Sequence, residues 1–208
     1  MKYNFKEAFK NLNELGIKTM GLRAMVTYDQ NLEELFIGYD ETSKYVDVTL
    51  SIENTTFDDN DEESTKEICL VNATLFTTYD EMTGDFFNFM DVIDSIDQDT
   101  YECLSVFIDN RSKMLKDSLE ISRILYVNSI ELEKEYREKG FESIILEYIK
   151  YKFSDILTAI VIEPFTIAQL DESLDFTEVE SDLIGELYKK HGFKNYKSDT
   201  WLYYENFF

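Results

Sequence analysis

The sequence predicts an α/β or α+β protein built around a central β-sheet. Short hydrophobic strands alternate with amphipathic helices after about residue 120, and earlier segments show the two-residue alternation of half-buried strands. Hydrophobic residues make up 44% of the 208-residue chain and aromatic residues 15%, which is enough for a core and excludes a disordered acidic tail. A single domain over residues 1–208 is expected. Residues 1–120 either complete the sheet or form a lobe beside it, and one continuous sheet is the simpler expectation.

The first half of the chain is predicted to begin with one helix and to continue as strands. The helix begins at Asn4, which forms a capping-box pattern with Glu7, and it ends at Gly16. Four strands are predicted, over residues 18–28, 34–39, 45–52 and 67–77. The acidic segment 54–64 is expected to be the solvated tip of a hairpin. A calcium loop is disfavoured there, because the segment lacks the glycine and the final glutamate of an EF-hand.

The second half of the chain begins with residues 85–120, whose apolar stripes at helical spacing predict helices. Strand, helix, strand, helix and two short strands then follow, over residues 124–132, 136–152, 156–163, 182–191, 193–196 and 201–205. Gly192 is expected to close the last helix. The C-terminal aromatic residues predict an edge strand and a packing or dimer patch, formed by Trp201, Tyr203, Tyr204, Phe207 and Phe208.

The charge of the chain restricts its partners. It has 43 acidic and 20 basic residues, a formal net charge of −23. Direct binding to nucleic acids or to anionic membranes is not expected, because both require basic surface. Small-molecule amines and basic proteins are the expected partners. The N-terminus has no apolar segment typical of a signal peptide, so a cytoplasmic location is expected. The low content of glycine and proline, 7 and 1 residues, is typical of a low-GC bacterium or its phage.

Cysteine and histidine are too scarce to support most metal or triad chemistry. Cys69 and Cys103 have no metal-ligand spacing and are expected to be reduced core thiols. His191 is the one histidine, so no metal site is expected. We predict that His191 caps the C-terminal end of the last helix, where a donor or cationic side chain is favourable.

The most informative segment is 130–143. A strand enters a loop that contains Arg137 and Gly140, and a helix opens directly afterwards. The unpaired N–H groups of a first helical turn and the positive end of its dipole suit a pyrophosphate. The segment therefore predicts an anion site.

Together with Leu187-Tyr188-Lys189-Lys190-His191-Gly192-Phe193, this segment resembles a known family. The order strand, Arg-x-x-Gly loop, helix, strand, helix ending in Leu-Tyr-x-x-x-Gly-Phe, then two strands is similar to the C-terminal half of the Gcn5-related N-acetyltransferase (GNAT) superfamily. The resemblance covers residues 122–208. It implies a mixed, mostly antiparallel central sheet flanked by helices. Residues 1–121 would then be a divergent N-terminal half with a helical insertion at 85–120.

The resemblance implies acetyl-CoA as the cofactor, lying in a V-shaped opening between the strands at 124–132 and 156–163. The backbone around Leu132 would pair with the pantetheine arm. The N–H groups from Arg137 through Gly140 to Ser143 would hold the pyrophosphate.

The resemblance also implies two catalytic candidates. Tyr188 stands where many members place a general acid near the CoA sulfur, and a phenol can donate a proton at neutral pH. Glu131 is a candidate base or amine-binding carboxylate. The alternative for Tyr188 is a packed residue of the last helix.

Two departures from the family pattern leave the function open. Glu138 and Glu142 stand where the family usually has glycine or alanine, and a carboxylate there adds bulk and like charge beside phosphates. The sequence therefore favours an N-acetyltransferase that acts on an amine, with activity that these carboxylates could impair. The alternative is a non-catalytic acidic GNAT-fold protein, such as a phage or mobile-element inhibitor of a basic nucleic-acid-binding host protein.

Overall fold

The structure is a computed structural model of the 208-residue chain. It describes residues 21–28, 45–57, 62–77, 100, 101, 104, 123–137, 140–153, 159–162, 178–197 and 200–203. Seven strands are present in these ranges: β1 (Gly21–Tyr28), β2 (Tyr45–Phe57), β3 (Glu63–Thr77), β4 (Arg123–Leu132), β5 (Ala159–Ile162), β6 (Lys194–Lys197) and β7 (Thr200–Tyr203). Two longer helices accompany them, α1 (Phe141–Phe153) and α2 (Glu178–Lys190), with a 3₁₀ turn at Lys134–Tyr136.

All seven strands belong to one sheet, in the order β1-β2-β3-β4-β5-β7-β6. The pair β4–β5 is parallel and the other described pairs are antiparallel. The predicted class, a mixed and mostly antiparallel sheet with helices against it, is therefore confirmed. The strands from the first half of the chain continue the same sheet, so the alternative of a separate lobe is wrong for β1–β3.

The core lies on the face of the sheet that α1 and α2 cover. Alternate residues of β2 point into it because strand side chains alternate between faces, and Val46, Val48 and Leu50 are each at most 2% exposed. Burying a side chain of this size stabilises the fold by about 1.5–3 kcal/mol. The two helices add their apolar residues to the same cluster, among them Phe141, Ile145, Ile149, Phe153 and Tyr188.

The β2–β3 hairpin is longer than the sequence predicts. Residues 54–57 and 63–66 pair as strand, so the predicted loop over 54–64 is wrong at both ends. Thr55 and Thr65 face each other across the ladder, with their hydroxyl oxygens 3.2 Å apart. Threonine pairs suit an exposed ladder, and this preference outweighs the acidic character of the segment.

Both helix boundaries differ from the prediction. The helix expected over 136–152 begins at Phe141, because Tyr136 lies in the 3₁₀ turn and Gly140 has a φ of 79° that no helix allows. The helix expected over 182–191 begins earlier, at Glu178. It ends as predicted at Gly192, whose φ of 86° is the left-handed conformation that glycine adopts without cost.

The C-terminal strands also require a correction. β7 lies between β5 and β6, so the strand that contains Trp201 is internal and β6 is at the sheet edge. Tyr204, Phe207 and Phe208 lie outside the described residues. So do the predicted helix at 4–16, the strand at 34–39 and most of the helical insertion, of which Thr100, Tyr101 and Leu104 are helical. None of the helices described is long and apolar enough to span a membrane.

Candidate functional site

The site begins where the described pairing of β4 with β5 ends. Their parallel pairing covers only four residues of each strand, from Ile124 to Val127 and from Ala159 to Ile162. β4 continues for five more residues to Leu132 and stays paired with β3 on its other side. Among the described residues, nothing pairs with this second half of β4 on the β5 side. An open strand edge of this kind can hydrogen-bond an extended ligand. The V-shaped opening is predicted at this part of β4.

A β-bulge marks the apex of the opening. Ser129 pairs with Asn72 and Val127 pairs with Ala73, so Asn128 is an extra residue without a Cα partner on β3. Bulges kink a strand and redirect its side chains. The bulge directly follows Val127, the last residue of β4 that pairs with the described part of β5.

The first residues of the loop after β4 contact β2, β3 and α1. Tyr136 is buried, its ring packs edge-on against Phe141 with 5.5 Å between centroids, and its hydroxyl accepts a 2.9 Å hydrogen bond from Asn54 Nδ2. The amide of Glu133 donates to the carbonyl of Ile68 at 3.0 Å. These contacts join the loop to the β2–β3 hairpin, so the loop has a fixed position at the open edge.

Arg137 is oriented by the strand that precedes it. Its Nε donates to the Leu132 carbonyl at 2.8 Å, and Leu132 itself is fully buried. The backbone around Leu132 was expected to meet a ligand, and this carbonyl already accepts one hydrogen bond. The bond fixes the guanidinium plane while the two terminal nitrogens stay clear of ion pairs with any described carboxylate.

The N-terminus of α1 completes the loop. Gly140 is exposed, and its positive φ turns the chain into the helix. Glu142 and Ser143 lie in the first turn, whose N–H groups have no partner within the helix. Glu142 thus places an acidic residue in the first turn of α1. Glu138 lies outside the described residues.

Carboxylates from the loop also face a lysine of β3. Lys66 Nζ lies 3.3 Å from Glu133 Oε1 and 3.4 Å from Glu135 Oε1. The hydrogen bond to Glu133, and after it the bond to Glu135, raises the pKa of Lys66. All three side chains are about half exposed, so these pairs contribute little to stability. They neutralise part of the negative charge beside the loop.

Tyr188 lies in the core rather than at an open surface. Its relative exposure is 0%, and its ring packs 5.6 Å from that of Phe193. The amide of Phe193 donates to the Tyr188 carbonyl, and that of Gly192 donates to the Lys189 carbonyl, both at 3.0 Å. These two bonds and the ring contact are a Schellman motif. Leu-Tyr-x-x-x-Gly-Phe is thus a helix-ending signal in its own right.

His191 connects the two helices. Its Nδ1 lies 2.7 Å from Glu147 Oε1 on α1, and Lys150 Nζ reaches the same oxygen at 2.6 Å and the His191 carbonyl at 2.9 Å. The predicted cap is therefore wrong for the side chain, which turns to α1, whereas the backbone amide caps Leu187 and Tyr188. Burial raises the pKa of Glu147, but the hydrogen bonds from His191 and Lys150 outweigh it and lower the pKa.

Glu131 lies on β4 opposite Leu70, on the face of the sheet away from α1. Its side chain is half-buried.

On this face, which we call the polar face, hydrogen bonds join neighbouring strands. The bonded pairs are Ser51–Glu67, Asp47–Thr74, Asn72–Ser129 and Thr74–Asn128. Sequence reasoning missed Asn128, Thr74 and Asp47. Alternation along β2, β3 and the first half of β4 places Asp47, Thr74 and Asn128 on the polar face, but the hydrogen bonds that join them are not visible in the sequence.

The cysteine that the structure describes is a core residue, in agreement with the prediction. Cys69 is buried as predicted, and burial raises the pKa of its thiol, which makes it a poor nucleophile. Cys103 lies outside the described residues. The part of the chain that the structure describes contains no cluster of three potential metal ligands.

Comparisons with known proteins find similarity among solved structures alone. No protein-family model and no curated protein matches the chain. Among solved structures, the crystal structure of NAA60 from Arabidopsis thaliana in complex with acetyl-CoA is similar in fold, with 14% sequence identity and a TM-score of 0.43. The match covers 89% of this chain and 99% of that chain.

Proposed function

We propose that the protein is an acyl-CoA-dependent N-acetyltransferase that acts on an amine. The observation that carries the proposal is the end of the described β4–β5 pairing at Val127, beside the Asn128 bulge and ahead of the loop with Arg137 and the N-terminus of α1. An open strand edge that leads to a helix N-terminus fits a ligand with an amide-containing arm and a pyrophosphate. A cytoplasmic location is part of the proposal.

Three parts of the chain would hold acetyl-CoA, which supplies the acyl group as a thioester. The terminal nitrogens of Arg137 and the first-turn N–H groups around Ser143 would bind the pyrophosphate. The edge of β4 would pair with the pantetheine arm. Glu142 opposes this binding, by about 1 kcal/mol if the site is hydrated.

The proposal gives catalytic roles to Glu131 and Tyr188. Glu131 is three residues from the bulge, about 10 Å along the strand, so a proton from the amine would reach it through water. The Tyr188 hydroxyl would protonate the departing sulfur. Since Tyr188 is enclosed in the core, its phenol needs an opening beside α2 to meet the ligand.

Titration with acetyl-CoA tests the proposal. Acetyl-CoA at 100 times its dissociation constant should stabilise the fold by about 2.7 kcal/mol, which calorimetry and the melting temperature both detect. Tyr188→Phe should keep this response and lose roughly 100-fold in aminolysis, the usual scale of a general acid. Unchanged turnover in Tyr188→Phe would remove Tyr188 from the mechanism, and no response at millimolar acetyl-CoA would contradict the function itself.

The full burial of Tyr188 favours the second candidate, a non-catalytic acidic protein that binds a basic partner. Its Schellman contact gives Tyr188 a structural role that needs no chemistry. This function predicts salt-sensitive binding to polylysine as a basic probe, with no effect of acetyl-CoA. Binding that does not weaken between 50 and 500 mM salt would contradict it.

A further inference from the structure

A chain of three polar side chains crosses the sheet to the bulge. Thr74 on β3 donates its hydroxyl proton to Asp47 Oδ1 on β2, with the oxygens 3.0 Å apart. Asn128 on β4 donates from Nδ2 to the same Thr74 oxygen over a longer 3.4 Å. Thr74 is 6% exposed, whereas the side chains of Asp47 and Asn128 at the two ends are exposed.

The carboxylate of Asp47 fixes the direction of both hydrogen bonds in this series of side chains. An ionised carboxylate can only accept, so the single hydroxyl proton of Thr74 is used on Asp47. The Thr74 oxygen can then only accept from Asn128, which therefore turns its Nδ2 to Thr74 and its Oδ1 away. Within the described part of the chain, the Asn128 side chain makes no other hydrogen bond. The carboxamide oxygen is thus a pre-oriented acceptor.

The position of Asn128 links this acceptor to the proposed chemistry. A pantetheine arm that pairs with β4 near Leu132 and runs to the apex covers four residues, about 13 Å of extended strand. The thioester end of such an arm comes to the bulge. The Asn128 side chain then lies beside the carbon that is attacked, on the polar face of the sheet.

We infer that Asn128 orients the attacking amine, and that Asp47 and Thr74 are positioning residues that hold its carboxamide. This inference rests on the proposed function and names its substrate class, a primary amine. A neutral primary amine has two N–H groups and one lone pair. Asn128 Oδ1 accepts one N–H, the other proton is available to the base, and the lone pair points to the thioester.

The interaction strengthens as the reaction proceeds. When the N–C bond forms, the nitrogen becomes positive and its N–H groups become better donors, so Asn128 stabilises the transition state more than the bound amine. The C–S bond then breaks, the nitrogen loses one proton through water to Glu131, and the thiolate takes the hydroxyl proton of Tyr188. Glu131 afterwards releases its proton to solvent, and Tyr188 regains one from solvent. A secondary amine has one N–H and cannot serve both Asn128 and the base before attack.

The test compares four single variants and one double variant with the unaltered protein, with n-butylamine and N-methylbutylamine as acceptors. Asn128→Leu removes the acceptor oxygen, and Thr74→Val removes the hydroxyl at nearly constant shape. Asn128→Asp keeps an acceptor toward the amine. The matched control is Asn72→Leu, because Asn72 lies on the same face and donates to Ser129 Oγ at 3.0 Å without a charged partner.

We expect Asn128→Leu to lower kcat/KM for n-butylamine by roughly 10- to 100-fold, the scale of one lost transition-state hydrogen bond. Its preference for n-butylamine over N-methylbutylamine should fall, whereas Asn72→Leu should change neither value. Asn128→Asp keeps an acceptor but loses the donor to Thr74 Oγ1, so it should recover only part of the rate. The double variant of Asn128→Leu and Thr74→Val should be no slower than Asn128→Leu alone, because both changes act through one interaction.

A measurement without turnover completes the test. In ¹⁵N-labelled protein with CoA, n-butylamine should shift the side-chain amide signals of Asn128 and not those of Asn72. An unchanged preference and rate in Asn128→Leu, with a normal melting response to acetyl-CoA, would overturn the role of Asn128 alone. Loss of that response in the unaltered protein would instead overturn the proposed function and this inference with it.

Discussion

The two halves of β4 belong to one strand but have different environments. Residues 124–127 are paired on both sides, by β3 and β5, and each is at most 6% exposed. From Asn128 onward only β3 pairs with the strand among the described residues, and buried residues alternate with exposed or half-buried ones. The first half is thus specified by packing on both faces. The second half is paired by β3 alone among the described residues, and the candidate site lies there.

The largest expected effect on stability comes from substituting one residue in each half of β4. Leu125→Ala should lower the free energy of unfolding by about 2–5 kcal/mol, because a fully buried leucine leaves a cavity. Glu131→Gln should change it by less than about 0.5 kcal/mol, since its side chain is half-buried and nearly the same shape is kept. Urea unfolding of both variants measures the difference. Similar losses would show that the two halves are equally committed to packing.

The burial patterns of the two halves of β4 could largely be predicted from the sequence, but the bulge between them could not. The hydrophobic run from Ile124 to Val127 and the later alternation at Ile130 and Leu132 are visible as residue patterns. The bulge at Asn128 is not, because it depends on how β4 and β3 align across a long insertion. The orientation of Arg137 and the contact of His191 with Glu147 likewise arise from residues that meet only after folding.

Burial of Tyr188 shows a second limit of the sequence. Tyrosine at the helix end matches the family's acid and also matches the Schellman contact with Phe193, and both uses require the same spacing. The sequence pattern alone therefore cannot decide whether Tyr188 is a general acid or a structural residue. Exposure could decide, but it depends on the residues that surround α2 in the folded chain.

A polar network ties α1 to the end of α2, and its pH dependence sharpens the contrast with the apolar first half of β4. The lowered pKa of Glu147 means that its charged form stabilises the fold, so this stability is present above the ordinary glutamate value of 4.5 and is lost as the pH falls below it. Glu147→Gln should lower the unfolding free energy at pH 7 by about 1 kcal/mol.

Melting curves from pH 3 to 7 provide the measurement. The gap between the unaltered protein and Glu147→Gln should close below pH 4.5, where the unaltered side chain takes up a proton. Lys152 is exposed on the same helix, so Lys152→Gln serves as a charge-removal control whose gap should not close in this range. A gap for Glu147→Gln that is constant with pH would show that the carboxylate charge does not hold the helices together.

The smallest expected effect concerns the loop that ends the open edge. Glu142 stabilises α1 because an anion near a helix N-terminus is favourable, by about 0.3–1 kcal/mol, and the same charge repels a phosphate. Glu142→Gln should therefore cost that amount of stability and tighten acetyl-CoA binding by roughly two- to fivefold.

The control is Glu186→Gln, which makes the same change in net charge at an exposed side chain of α2. The affinity of this control for acetyl-CoA should stay unchanged. The gain should shrink at high salt, since screening acts on the repulsion. Equal affinity in Glu142→Gln and the unaltered protein would place the phosphates away from α1 and would restrict the ligand to the edge of β4.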